Sequence, residues 1–236
     1  MDNHISVIIP TYNERENISD IIDLVFKEIK PLKEIIIVDD DSPDLTWQLV
    51  EEIRKDKPQI KLFRRLNESV LPTAIWKGIL SSQGEIILWL DADFLSLPST
   101  LTRWLDYFNG YDIAVASRYV EGGQDTRIEK IRVITSKLFN NIAQFILQTN
   151  TRDLTSGYII ARKEIFKKVN ISGLYGEYSI KFLYQAEKAN FRIKEVPYIC
   201  LSRNKGKSKT SANILSFIKF GLIYILTVFK LKIFKK

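Results

Sequence analysis

An α/β fold, a mostly parallel and Rossmann-like sheet with helices on both faces, is predicted by two features of this 236-residue sequence. Short Ile/Val runs alternate with amphipathic stretches through the first half of the chain, the pattern of strands buried on both faces. Two of those runs end in acidic clusters, at the carboxyl ends where such sheets bind ligands.

Taken in order, Ile5 to Ile9 predicts a first strand. Pro10 cuts that apolar run short, so it reads as a strand and not as the core of a signal segment. Asn17 to Lys30 predicts a helix with Ile18, Ile21, Ile22, Val25 and Ile29 on one face. Strands follow at Ile35 to Val38, Ile60 to Phe63, Ile86 to Leu90 and Ile113 to Ser117. Between them the pattern predicts helices over Leu45 to Asp56, Thr73 to Ser82 and Pro98 to Phe108. Beyond Arg127 come a helix to Leu147, a short strand at Gly157 to Ala161 and a helix at Tyr178 to Ala189. Phe191 to Leu201 predicts a last strand, whose Pro197 suits an edge or a bulge.

The tail changes character. Ile214 to Phe229 is nearly all apolar, with basic clusters on both sides, Arg203 to Lys209 before and Lys230 to Lys236 after. A single span would place one cluster on the wrong side of a membrane. The run also falls short of the ~20 residues that cross a bilayer. An interfacial helix is the more economical reading, with a short span or a core-packed helix as alternatives. The chain therefore divides into a globular domain, residues 1–210, and an amphipathic helix with a basic tail, residues 211–236.

Composition narrows the chemistry. One histidine, His4 near the start, and one cysteine, Cys200 at the end of an apolar run, exclude His-based triads and cysteine-rich zinc sites. Cys200 reads as a buried structural thiol. Catalysis must then rest on carboxylates, basic groups, backbone dipoles or a hard metal ion. The net charge of +7 calls for an anionic partner. Positive charge gathers near the tail while the strand ends are acidic, which argues against nucleic acid.

Three constellations carry the site. Asp91-Ala92-Asp93 follows the fourth strand, and alternation would point both carboxylates the same way, as Mg2+ or Mn2+ with a diphosphate requires. Asp39, Asp40 and Asp41 follow the second strand, and three adjacent carboxylates need cationic or hydrogen-bonding partners. Ribose hydroxyls or a base edge would serve, while Asp44 reads as a cap for the next helix. After the first strand, Tyr12 can stack on a base and Glu14 can accept from its N–H groups. Basic groups come later, at Arg118, Arg132, Arg203 and Lys209.

Together these segments resemble the family 2 glycosyltransferases of GT-A fold, and among them the polyprenyl-phosphate hexosyltransferases. The resemblance rests on VIIPTYNERENI, IIIVDDDSPD, LDAD, ASRYVEGG, DLTSGY, EVP and RNKGKSK, in that order. It implies that Pro10, Tyr12, Glu14, Val38 and Asp40 hold the nucleoside. It implies that Asp91, Ala92 and Asp93 hold metal and diphosphate, with Asp91, Asp93 and Arg118 as the catalytic groups. Arg118, Arg132, Arg203 and Lys209 would contact donor or acceptor phosphate. The activity implied is inverting transfer of a hexose, mannose from GDP-mannose being favoured, to dolichyl or other polyprenyl phosphate. The place implied is the cytoplasmic face of a membrane, with lipids and an unidentified membrane subunit as possible partners. UDP-glucose as donor, another acceptor, or a catalytically silent homologue are the alternatives. The chain departs from the family pattern at Val70-Leu71-Pro72, where Gly-Leu-Gly is usual, and at Leu95, Ile159 and Lys181.

Overall fold

The structure, a computed structural model, describes residues 4–93, 106, 108–202 and 214–234, with side chains in the last helix from residue 221 onward. Its centre is a seven-stranded sheet. The strands are β1 (Ile5–Thr11), β2 (Leu32–Asp39), β3 (Ile60–Arg64), β4 (Ile86–Trp89), β5 (Ile113–Ser117), β7 (Ile159–Arg162) and β8 (Ile193–Pro197), in the order β3-β2-β1-β4-β7-β5-β8. Only β7 runs antiparallel to its neighbours, β4 and β5. The helices among the described residues are α1 (Ile18–Glu28), α2 (Thr46–Ile53), α3 (Leu71–Ser81), α4 (Lys130–Leu147), α5 (Tyr178–Lys188) and α6 (Ile214–Phe234). Most of the helix expected at residues 98–108 lies outside the described residues.

Period-two alternation splits the Ile/Val runs between two cores. Val7, Ile9, Ile35, Ile37 and Leu88 pack with Ile18, Ile22 and Val25 of α1 on one face. Ile8, Ile36, Val38, Ile87 and Trp89 pack with Ala74, Ile75 and Ile79 of α3 and with α5 on the other. Gly78 lets α3 approach β1 closely, because a Cβ there would lie 2.5 Å from Ile8 Cγ2.

Three sequence expectations change. The strand expected over residues 191–201 splits, giving β8 at the sheet edge and β9 (Ile199–Cys200). β9 pairs with β6 (Gln124–Asp125), a strand too short to show a hydrophobic pattern. Pro197 ends β8, which fits its missing N–H. β4 stops at Trp89, so Asp91-Ala92-Asp93 stands in a turn, where Ala92 is buried and the two aspartates are half-buried. Cys200 is half-buried and lines a cleft instead of the core.

The C-terminal helix is longer than its apolar run. It runs 21 residues and packs on α4 and α5. Thr227 is buried with Val228 and Leu231, so one face of this helix belongs to the core. No described helix is long and apolar enough to cross a membrane.

Candidate active site

β2, β1 and β4 are parallel neighbours, so Asp39, Thr11 and the Asp91 turn leave the sheet at one edge. β5 is antiparallel to β7, which is antiparallel to β4, so Arg118 after β5 leaves at the same edge. The two halves of that edge are built differently.

On the β1–β2 side, protein groups satisfy the aspartates. Asp39, fully buried, accepts from the Thr11 and Ser42 hydroxyls at 2.6 and 2.7 Å and from the Ser42 N–H at 2.8 Å. Asp40 accepts from Arg65 Nε at 2.7 Å, both side chains being buried. Burial pushes the Asp40 carboxyl up and Arg65 pulls it back, leaving it above the usual carboxylate range. Asp41 accepts from Arg64, whose guanidinium stacks on Trp47. The cationic and hydrogen-bonding partners that the three aspartates need thus come from two arginines and two hydroxyls of the protein itself.

The loops after β1 and β2 are stitched together. The N–H groups of Asn13, Glu14 and Arg15 donate in turn to Ser42 Oγ, Thr46 Oγ1 and Asp44 Oδ2. Asp44 also accepts from the N–H of Thr46, the first residue of α2, but Leu45 occupies the N-cap position without a side-chain cap bond, so the cap expected of Asp44 is replaced by a turn two residues wide. Asn13 and Asp41 take positive φ in these turns, which their short polar side chains tolerate. Tyr12 stands exposed, Glu14 is buried and accepts from Asn17, and Pro10 is half-buried at the end of β1. Val38 is wholly buried, so its side chain belongs to the core.

Arg65 was not legible as part of the site. Besides Asp40 it donates to Glu68, Thr73 Oγ1 and the Val70 carbonyl. It thus ties the Asp40 carboxylate to the segment that enters α3, where Val70-Leu71-Pro72 departs from the family pattern. Pro72 stands in the first turn of α3, where no N–H is needed.

On the β4–β5 side an open cleft of about 380 Å³ is lined by Asp91, Arg118, Arg127, Arg132, Tyr178 and Tyr224, among others. Arg118 is gripped by Asp153, itself fully buried, through Nε at 2.8 Å and Nη2 at 2.7 Å. It also donates to Thr155 at 2.8 Å and to Asp125 at 3.4 Å. Four of its five N–H groups are thereby engaged, which fixes the plane of the guanidinium. Burial opposes its charge, and Asp153 overrides burial. Arg127, to which the sequence assigns no site role, is clamped by Asp125 at 2.6 and 2.8 Å. Arg132 stands 3.8 Å from Glu129. Asn140 of α4 donates to Thr155 and accepts from the Leu154 N–H, joining α4 to the segment that holds Arg118.

The tyrosines here stay neutral. Burial pushes Tyr158 and Tyr178 up, and the Asp91 charge adds to the effect. Burial likewise raises the Cys200 thiol, which makes it a poor nucleophile. The structure therefore gathers Asp91, Arg118 and Arg132 in one cleft and sets Tyr12, Glu14 and Asp40 on the adjoining strand ends. Arg203, Lys209 and Leu95 lie outside the described residues. Ile159 is in the core, and Lys181 stands 3.9 Å from Glu177.

Among the described residues no group of three His, Cys, Asp or Glu side chains could hold a metal. Two carboxylates with no nitrogen or sulfur donor nevertheless suit Mg2+ or Mn2+, whose remaining ligands are ordinarily water and substrate phosphate.

The outer surface carries a feature the sequence reading passed over. Ile131, Ile134, Leu138, Ile142 and Phe145 recur at helical spacing along α4 and face solvent, Phe145 being 84% exposed. α6 exposes Leu222, Ile225, Leu226, Phe229, Ile233 and Phe234. Neither helix contains an acidic residue.

Residues 6–169 match the model of glycosyl transferase family 2. A dolichol-phosphate mannosyltransferase of Pyrococcus furiosus is 32% identical over 87% of this chain and 58% of its own length. This chain thus spans little more than half of that relative. A polyprenol monophosphomannose synthase of Mycolicibacterium smegmatis is 34% identical over 88% of this chain and 81% of its own length. Among solved structures, glucosyl-3-phosphoglycerate synthase of Mycobacterium tuberculosis with Mn2+, UDP and glucosyl-3-phosphoglycerate has a TM-score of 0.70. It is 16% identical over 97% of this chain and 79% of its own, a likeness of fold.

Proposed function

Because this chain belongs to glycosyl transferase family 2, we propose that it transfers mannose from a nucleoside diphosphate sugar, GDP-mannose being favoured, to a polyprenyl phosphate at a membrane surface. The observation that carries this reading is the cleft itself. A carboxylate turn suited to a diphosphate faces an arginine-lined wall, and a helix of that wall has an uncovered apolar outer face.

The acceptor phosphate oxygen attacks the anomeric carbon, and the bond from that carbon to the diphosphate oxygen breaks with inversion. A phosphate monoester is largely dianionic near neutral pH, its second pKa being about 6, so no proton must be removed. That agrees with a site lacking histidine. Arg118, fixed in plane by Asp153, and Arg132 would orient the incoming phosphate. Tyr12 would stack on the base, and the Asp40–Arg65 pair would frame the nucleoside. Mg2+ or Mn2+, when bound, would be held by Asp91 and Asp93 and would neutralise charge on the leaving diphosphate.

The α4 and α6 stripes support a peripheral seat on a membrane surface, which we assign to the cytoplasmic leaflet as part of the proposal. Apolar side chains would enter the headgroup boundary, and Lys130, Lys137, Lys230 and Lys232 would meet anionic lipid. The second reading, UDP-glucose transfer to a soluble acceptor, rests on the fold neighbours alone.

The test is transfer of labelled sugar from GDP-mannose or UDP-glucose to dolichyl phosphate, with Mg2+, Mn2+ or EDTA, and with 3-phosphoglycerate as competing acceptor. Metal-dependent labelling of the lipid by GDP-mannose is expected. Labelled 3-phosphoglycerate would favour the second reading, and no product at all would favour a silent homologue.

A further inference from the structure

α6 reaches into the cleft. Tyr224 lines it together with Asp91, Arg118 and Arg132. Its ring meets Phe139 of α4 edge to face, with centroids 5.7 Å apart. Its hydroxyl fits a notch at Gly176, where a Cβ would lie only 2.1 Å away. The loop that forms the notch is held firmly: buried Glu177 accepts from the N–H groups of Leu174 and Tyr175 at 2.7 and 2.8 Å. A side chain at 176 would therefore displace the Tyr224 hydroxyl from its seat. Burial and the nearby carboxylates raise the Tyr224 phenol and Arg118 lowers it, leaving a neutral hydroxyl that can donate.

We propose that Tyr224 is an acceptor-binding residue, its hydroxyl donating to the lipid phosphate held by Arg118, so that α6 completes the active site as well as seating it on lipid. The inference rests on the acceptor being a phosphate monoester, as read above. A helix that only anchored the enzyme would need no residue in the cleft and no glycine notch to receive one.

The experiment separates anchoring from positioning by using a soluble probe, citronellyl phosphate, with citronellol as control. Binding to the full chain is measured by calorimetry, alongside GDP binding and transfer kinetics. The expected result is that wild type binds citronellyl phosphate and not citronellol. Tyr224→Ala should weaken that binding roughly tenfold and raise the acceptor KM to match, the order expected for losing a hydrogen bond to a charged group. Tyr224→Phe, which keeps the ring, should show most of the same loss, and GDP affinity should stay unchanged in both. Gly176→Ala should reproduce the defect, and adding it to Tyr224→Ala should cost nothing further.

Unchanged citronellyl phosphate affinity in Tyr224→Ala would overturn the inference, as would additive effects of the two substitutions. Failure of wild type to bind the probe would overturn it too. Binding that depends on Tyr224 without sugar transfer from any donor would instead support the inference and sink the proposed reaction.

Discussion

The two halves of the candidate site solve opposite problems. At the ends of β1 and β2 the carboxylates find their partners inside the protein: Asp39 accepts from hydroxyls, Asp40 pairs with Arg65 and Asp41 with Arg64. At the ends of β4 and β5 the arginines are the restrained partners, Arg118 by Asp153 and Arg127 by Asp125. The first half offers a rigid, internally paired frame for a neutral nucleoside. The second offers oriented cations for phosphate, beside helices whose outer apolar faces are exposed among the described residues. Charge that must stay is paired where the ligand is uncharged and aimed where it is charged.

The largest expected effect breaks the first half. Arg65→Met strips Asp40 of its buried partner and should cost about 3–5 kcal/mol of folding stability. Urea denaturation of the variant beside wild type checks it, and an unchanged midpoint would mean that the pair does not hold the frame. Next comes the boundary between the halves. Asp93→Asn should lower turnover by roughly 10²–10³, the order for losing one preorganised charge contact, with the fold intact by circular dichroism. Full activity in the folded variant would sink the proposed metal role.

On the phosphate side, Asp153→Asn frees the Arg118 plane and should reduce kcat/KM for the acceptor about 10²-fold, with little change in donor KM. An equal rise in both KM values would show that Arg118 serves donor and acceptor alike. Negative charge placed on the apolar outer face, Ile131→Glu with Phe145→Glu, should cut binding to anionic vesicles roughly tenfold in a co-sedimentation assay. Turnover on citronellyl phosphate should be unaffected, and undiminished vesicle binding would remove α4 from the membrane seat.

The smallest effect concerns pH. Burial raises the Asp125 carboxyl, and its bonds and attraction to Arg127 and Arg118 outweigh burial and hold it below the usual range. A folded value below the unfolded one, about 3.9, gives stability that is present above pH 4 and lost as pH falls through the folded value. Denaturation midpoints of wild type and Asp125→Asn should therefore differ near neutrality and converge as pH falls below the ordinary carboxylate range.

Much of this was legible in sequence because buried strands and strand-end aspartates are local signals. The Ile5, Ile35, Ile86 and Ile113 runs fall where strands form, and the Asp91 turn falls at the ligand edge. What escaped is non-local. Nothing around Arg65 announces that it reaches back to Asp40, because the pair depends on β3 lying beside β2. β7 lies between β4 and β5, a placement no pattern within Ile159–Arg162 encodes. The α4 stripe has a clear helical period, yet period alone does not say whether a face meets core or solvent. The Tyr224 notch joins residues on different elements, and a lone glycine in a loop gives no hint of it.

The most direct measurement sets two lipids against each other. Labelled GDP-mannose is supplied to the enzyme with anionic vesicles that carry either polyprenyl phosphate or the same polyprenol without phosphate. The account predicts labelled lipid only in the phosphate-bearing vesicles, because the acceptor's ionised oxygen is the nucleophile, whereas a free alcohol would need a general base to take its proton. Comparable labelling of the free polyprenol would contradict it, and would mean that the cleft activates a hydroxyl by a group not identified at this edge of the sheet.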